Sequence, residues 1–81
     1  NKQAMTFPNP ATGSFTVQGK TGELLETIEI FDASGRIVFQ INAAGNNQEE
    51  LSPNIQSGIY EVRITTQSGT LRTERLVFVQ Q

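Results

Sequence analysis

The sequence predicts an all-β fold: an Ig-like, Greek-key sandwich of about seven strands in two antiparallel sheets. Three observations predict it. Apolar residues alternate with polar ones and do not recur every three or four positions, which is the period of strands. Turn signals separate the alternating segments about every 8–14 residues, with no helical stretch between them. The chain has 81 residues and no cysteine, which suits a single domain with one core and no disulfides.

The first segment holds Met5 and Phe7 on one parity. FPNPATGSFTV, residues 7–17, follows as an elbow. Pro8 and Pro10 lack N–H donors and fix φ near about −65°. Each drives its predecessor, Phe7 or Asn9, toward extended backbone. Residues 7–10 therefore read as a stiff, polyproline-like segment, and Gly13 supplies the sharp turn into Phe15 and Val17. Such an elbow suits an edge strand crossing between two sheets, where prolines also blunt an exposed edge.

In ETIEIFD, residues 26–32, Ile28 and Ile30 face one way and Thr27 and Glu29 the other. DASGR, residues 32–36, is a tight hairpin connection: Asp32 can bond its own backbone and Gly35 can take positive φ. RIVFQI, residues 36–41, points Ile37, Phe39 and Ile41 to one side and Arg36, Val38 and Gln40 to the other. NAAGNNQEEL reads as an uninformative linker that holds one short, weak strand candidate, residues 48–51. In IYEVRIT, residues 59–65, Tyr60, Val62 and Ile64 point inward. Before it, Leu51 or Ile55 can pack inward and Gly58 turns the chain. The Tyr60 hydroxyl can then reach an upstream backbone group, as in a tyrosine corner. TQSGT, residues 66–70, repeats the hairpin chemistry of DASGR.

LRTERLVFV, residues 71–79, is less ordinary. Arg72, Glu74, Leu76 and Phe78 share one face, and Thr73, Arg75, Val77 and Val79 the other. From Leu76 to Val79 both faces are apolar. Either both are covered within the domain, or one is kept for a partner, or an exposed strand here pairs two copies of the chain.

Enzymatic chemistry is not expected. The chain has no histidine, so Ser14, Ser34, Ser52, Ser57 and Ser68 lack the usual activating base. Glu49 and Glu50 are adjacent, so a strand sends them to opposite faces. Asp32 is a lone carboxylate in its turn, and no metal-ligand spacing or phosphate-binding glycine loop occurs. No metal or cofactor is therefore expected. Net charge is −2 and the six basic residues are scattered, which argues against nucleic acid. No apolar run approaches the roughly 20 residues of a membrane helix, so membrane insertion is not expected. The opening NKQAMTF does not read as a signal peptide.

The order of motifs adds to this reading. FPNPATG, IEIFDASGRIVF, IQSGIYEVRI and a closing RLVFV together resemble the type A C-terminal sorting domain of the type IX (Por) secretion system of Bacteroidetes-type bacteria. Pro8, Pro10 and Gly13 match its proline-glycine opening, and Asp32 and Gly35 lie in its central hairpin. Gly58 and Tyr60 match its Gly-x-Tyr motif. Arg75, Val77 and Val79 stand where the family shows a basic residue followed by β-branched ones. Lysine is common at that basic position or at the family's last residue, whereas here Arg75 fills the first role and the sequence closes Gln80-Gln81.

The resemblance implies a secretion signal. A cargo attached upstream, with residues 1–6 as its linker, would pass through the periplasm of a Gram-negative cell. The translocon, an outer-membrane shuttle protein and a sortase-type peptidase would then bring it to the surface or the medium. Gly58, Tyr60, Arg75, Val77 and Val79 would contact the machinery. The competing reading is a fibronectin-like or carbohydrate-associated binding module. That would need exposed aromatics, but among Phe7, Phe15, Phe31, Phe39, Phe78 and Tyr60 only Phe31 departs from core parity.

Overall fold

The structure, a computed structural model, describes residues 5–81. Its strands are β1 (Met5–Thr12), β2 (Ser14–Gln18), β3 (Leu25–Phe31), β4 (Ile37–Asn42), β5 (Gln48–Leu51), β6 (Gly58–Thr66) and β7 (Leu71–Val79). They are hydrogen-bonded in the order β4-β3-β6-β7-β1-β2-β5. β1 lies inside this ladder and belongs to both of its halves. Its first residues run antiparallel to β2, with Thr6 opposite Val17, whereas Ala11 and Thr12 run parallel to Phe78 and Val79 of β7. The elbow between them folds the ladder into two sheets, of five and three strands with β1 counted in each.

Pro8, Asn9 and Pro10 are exposed, and the peptide bonds before both prolines are cis, not the extended polyproline-like run expected. The tertiary amide before proline makes that isomer accessible. Gly13 turns the chain at φ 81°, and its N–H donates to the Val79 carbonyl at 3.0 Å. Met5 and Thr6, read as the end of a linker, are the first residues of β1, and residues 1–4 of that linker lie outside the described residues.

The core lies between the sheets. Phe15 and Val17 come from the smaller sheet, and Leu25, Ile28, Ile30, Val62, Ile64, Leu76 and Phe78 from the larger. Leu51 and Ile55 both close it. The alternation in β3 and β6 is as the sequence predicts.

Two parities are not. Phe7 is 40% exposed and Thr6 is the buried residue of its pair. Thr6 is tolerated inside because its N–H and hydroxyl both donate to Glu74 Oε1, at 2.7 and 3.2 Å. In β4, Ile37 lies opposite Phe31 but Phe39 lies opposite Ile30, so Val38 is an extra residue. This bulge resets the alternation. Val38, Phe39 and Ile41 pack on the core, and Ile37 is exposed.

The segment read as an uninformative linker is a bonded corner. Ala44 and Gly45 take φ of 52° and 83°, and the Asn46 N–H donates to the Ala43 carbonyl at 3.0 Å. The Asn47 amide donates to the Lys20 carbonyl at 2.8 Å and also to that of Glu23. β5, the weak candidate, pairs with β2 from Phe15 opposite Leu51 to Gln18 opposite Gln48. The ends of the ladder are β4 and β5, and β7 lies inside it between β6 and β1. Of the alternatives open for this strand, the structure covers one edge of β7 with β1 at Phe78 and Val79.

Candidate docking surface

The β6–β7 hairpin has the longest strands of the fold, nine residues each, paired from Gly58 opposite Phe78 to Thr65 opposite Leu71. Its turn repeats that of Asp32–Gly35. Thr66 and Asp32 each accept through their carbonyl from the N–H of the glycine three residues on, Gly69 or Gly35, at 3.0 and 2.9 Å. Both glycines have positive φ, 93° and 87°, as a type I turn with a glycine bulge requires. Asp32 Oδ1 also accepts from the Ser34 hydroxyl at 2.7 Å and the Arg36 N–H at 3.0 Å. These bonds, the hydroxyl first, hold its carboxyl below the ordinary value.

The inner face of β7 anchors the hairpin. Leu76 and Phe78 are buried, and the two polar residues on the same parity are clamps. Arg72 forms an ion pair with Glu23 of the β2–β3 loop. The Lys20 N–H, and then Arg72, hold the Glu23 carboxyl below its ordinary value. Glu74 accepts from Thr6 of the other sheet.

The outer face is open. Leu71, Thr73, Arg75 and Val79 are exposed and Val77 is half-buried. On β6, Ile59 lies directly opposite Val77, and Glu61 directly opposite Arg75. Ile59 is 52% exposed and Val79 43%. The result is an apolar group, Ile59, Val77 and Val79, beside an exposed guanidinium. Farther along, the Arg63 guanidinium carbon sits 4.3 Å from the centroid of the Phe31 ring, which it shields. A shallow depression bordered by Asp32, Ile59, Glu61, Thr73 and Arg75 opens on this face.

Arg75, Val77 and Val79 thus share one surface; Tyr60 borders its depression but, like Gly58, lies on the other parity of β6. Tyr60 is on the inward parity, packs against the core, and donates its hydroxyl to the Gln56 carbonyl at 2.6 Å. That is the tyrosine-corner bond the sequence suggested. Gly58 does not have positive φ. A side chain there would meet the Tyr60 ring at 3.6 Å, so the pair forms a corner. Sequence reasoning missed Asn9, whose side chain bonds to the β7 backbone, and the Glu23–Arg72 pair. The one available signal was the inward parity of Arg72 and Glu74. Among the described residues no cluster could hold a metal ion. Among the described residues no helix is long and apolar enough to cross a membrane.

The family model described as the secretion system C-terminal sorting domain matches residues 5–79. The chain belongs to that family. The sorting domain is the signal for type IX secretion, recognised by that machinery, and the family implies translocation of attached cargo to the cell surface or medium. The family is not an enzyme class. Among solved structures, the sorting domain is similar to the crystal structure of CopC from Methylosinus trichosporium OB3b. The TM-score is 0.50 at 19% identity, over 98% of this chain and 85% of that one. At that identity the likeness shows the fold alone, an all-β sandwich. No curated protein matches.

Proposed function

We propose that the sorting domain docks on the type IX translocon through the outer face of the β6–β7 hairpin. Arg75 supplies charge, and Val77, Val79 and Ile59 supply apolar contact. The observation that carries this reading is the asymmetry of β7. Its inner residues Leu76 and Phe78 are buried in the core, while Val79 on its outer face and Ile59 of β6 stay exposed beside Arg75. An apolar group rimmed by charge has the composition of a protein-docking patch. The carbohydrate-module reading has little to rest on: Phe15 and Phe78 are buried, Tyr60 is held by its hydroxyl, Arg63 covers Phe31, and Phe7 alone is an exposed aromatic among the described residues.

In this reading the cargo crosses the periplasm before docking and passes to an outer-membrane shuttle protein. A sortase-type peptidase cuts upstream of β1 and joins the cargo to surface lipopolysaccharide. The test is a fusion of residues 1–81 to the C-terminus of a periplasmic fluorescent reporter, in type IX-competent and translocon-null strains. Export in the competent strain alone, lost in Arg75→Ala and Val77→Asp variants that fold normally, supports the reading. Normal export by both folded variants overturns it.

A further inference from the structure

The elbow and the last strand meet at one side chain. β1 runs parallel to β7, with Ala11 opposite Phe78. Counting back in that register places Asn9 level with Leu76. In a parallel ladder, a residue level with Leu76 donates its N–H to the carbonyl of residue 75 and accepts at its carbonyl from the N–H of residue 77. The Asn9 backbone does neither. Its side-chain amide does both: Nδ2 donates to the Arg75 carbonyl at 2.8 Å, and Oδ1 accepts from the Val77 N–H at 3.1 Å.

The chemistry explains the substitution. In this register residues 9, 11 and 13 turn their N–H groups toward β7, so Pro8 and Pro10 fall on the alternate positions and take no donor from this ladder; the step missing from the backbone is the one at Asn9 itself. A carboxamide carries one acceptor and one donor group in a plane, as a peptide does. Asparagine places it one methylene from the backbone; aspartate would face the Arg75 carbonyl with a second acceptor. Beyond this point the ladder resumes in the backbone, where the Gly13 N–H donates to the Val79 carbonyl.

We infer that Asn9 is a positioning residue for recognition. It extends the β1–β7 ladder by one step, clamps the backbone on both sides of Leu76, and so fixes where Arg75 and Val77 present their side chains. The machinery then meets the elbow and the last strand as one rigid unit. This rests on the docking reading above.

The test compares Asn9→Ala, Asn9→Asp, Arg75→Ala and wild-type domains in the reporter fusion. Amide exchange at Val77 is measured by NMR on the 81-residue domain. For Asn9→Ala the Val77 amide should exchange about tenfold faster, as expected for losing one hydrogen bond, with Val62 and Ile64 unchanged. Export should fall although the melting temperature stays within a few degrees. Asn9→Asp keeps the acceptor for Val77. Its Val77 amide should exchange more slowly than in Asn9→Ala, yet export should still fall. Unchanged exchange at Val77 in Asn9→Ala overturns the inference. So does wild-type export from both Asn9 variants while Arg75→Ala fails. If Arg75→Ala also exports normally, the docking reading falls with it.

Discussion

Phe15 of β2 and Phe78 of β7 meet edge to face, with ring centroids 6.5 Å apart and planes at 78°. One ring comes from each sheet, and both are almost fully buried. This contact joins the two layers at the end where the elbow crosses between them. Phe78→Ala should cost about 3–5 kcal/mol, a large part of the stability of so small a domain. Urea denaturation followed by circular dichroism measures it. A loss under about 1 kcal/mol would mean that the layers are held elsewhere.

The Glu23 carboxylate, held by the Lys20 N–H and then by Arg72, makes stability depend on acid. The folded-state pKa of Glu23 is lowered from 4.5. On acidification the unfolded chain therefore takes up its proton first. The contribution is complete above about pH 4.5 and is lost as pH falls through the lower folded value. At neutral pH, Glu23→Gln should cost about 1–3 kcal/mol, the range for hydrogen bonds to charged groups. Urea midpoints at neutral pH and at pH 3 should show the wild-type advantage shrinking with acid. A constant difference would contradict the assignment.

Tyr60 and Arg75 separate stability from recognition. Tyr60→Phe removes one hydroxyl bond to Gln56 and should cost about 1 kcal/mol, with export unchanged.

Arg75→Ala removes an exposed side chain and should shift stability by no more than about 0.5 kcal/mol while reducing export. Thermal melts and reporter fluorescence, measured on the same fusions, check both variants. A Tyr60→Phe protein that folds yet fails to export would move the docking surface to the corner.

Gly35→Ala tests the hairpin turn. Nothing stands within 4 Å of a side chain placed there, so the cost is that of φ 87° alone. About 1–2 kcal/mol is expected from the left-handed penalty. A thermal melt reads it.

Much of this architecture was legible in the chain. Ile28 and Ile30, then Val62 and Ile64, alternate without interruption, and each glycine-bearing hairpin turn does what its residues dictate. The misreadings share a cause. Phe7 precedes the elbow and Ile37 precedes a bulge, and at both the parity resets in a way set by strand pairing. Alternation within a segment does not report that pairing. Asn9 and Glu23 were invisible for a related reason. Their partners lie 66 and 49 residues away, and only the folded register brings them together. The surface residues Arg75, Val77 and Val79 were found by motif order, and it is the packing that separates them from Gly58 and Tyr60.

β7 comes last among the strands in the chain yet sits in the middle of the ladder, between β6 and β1. β6 can pair with β3 and β1 with β2 beforehand, but the edges that β6 and β1 turn toward each other stay unpaired until β7 arrives. During synthesis the two layers cannot be sealed before residue 79 has left the ribosome, and a product broken off earlier leaves the edges of β1 and β6 bare. The seam between the two layers is thus closed by the strand made after the other six.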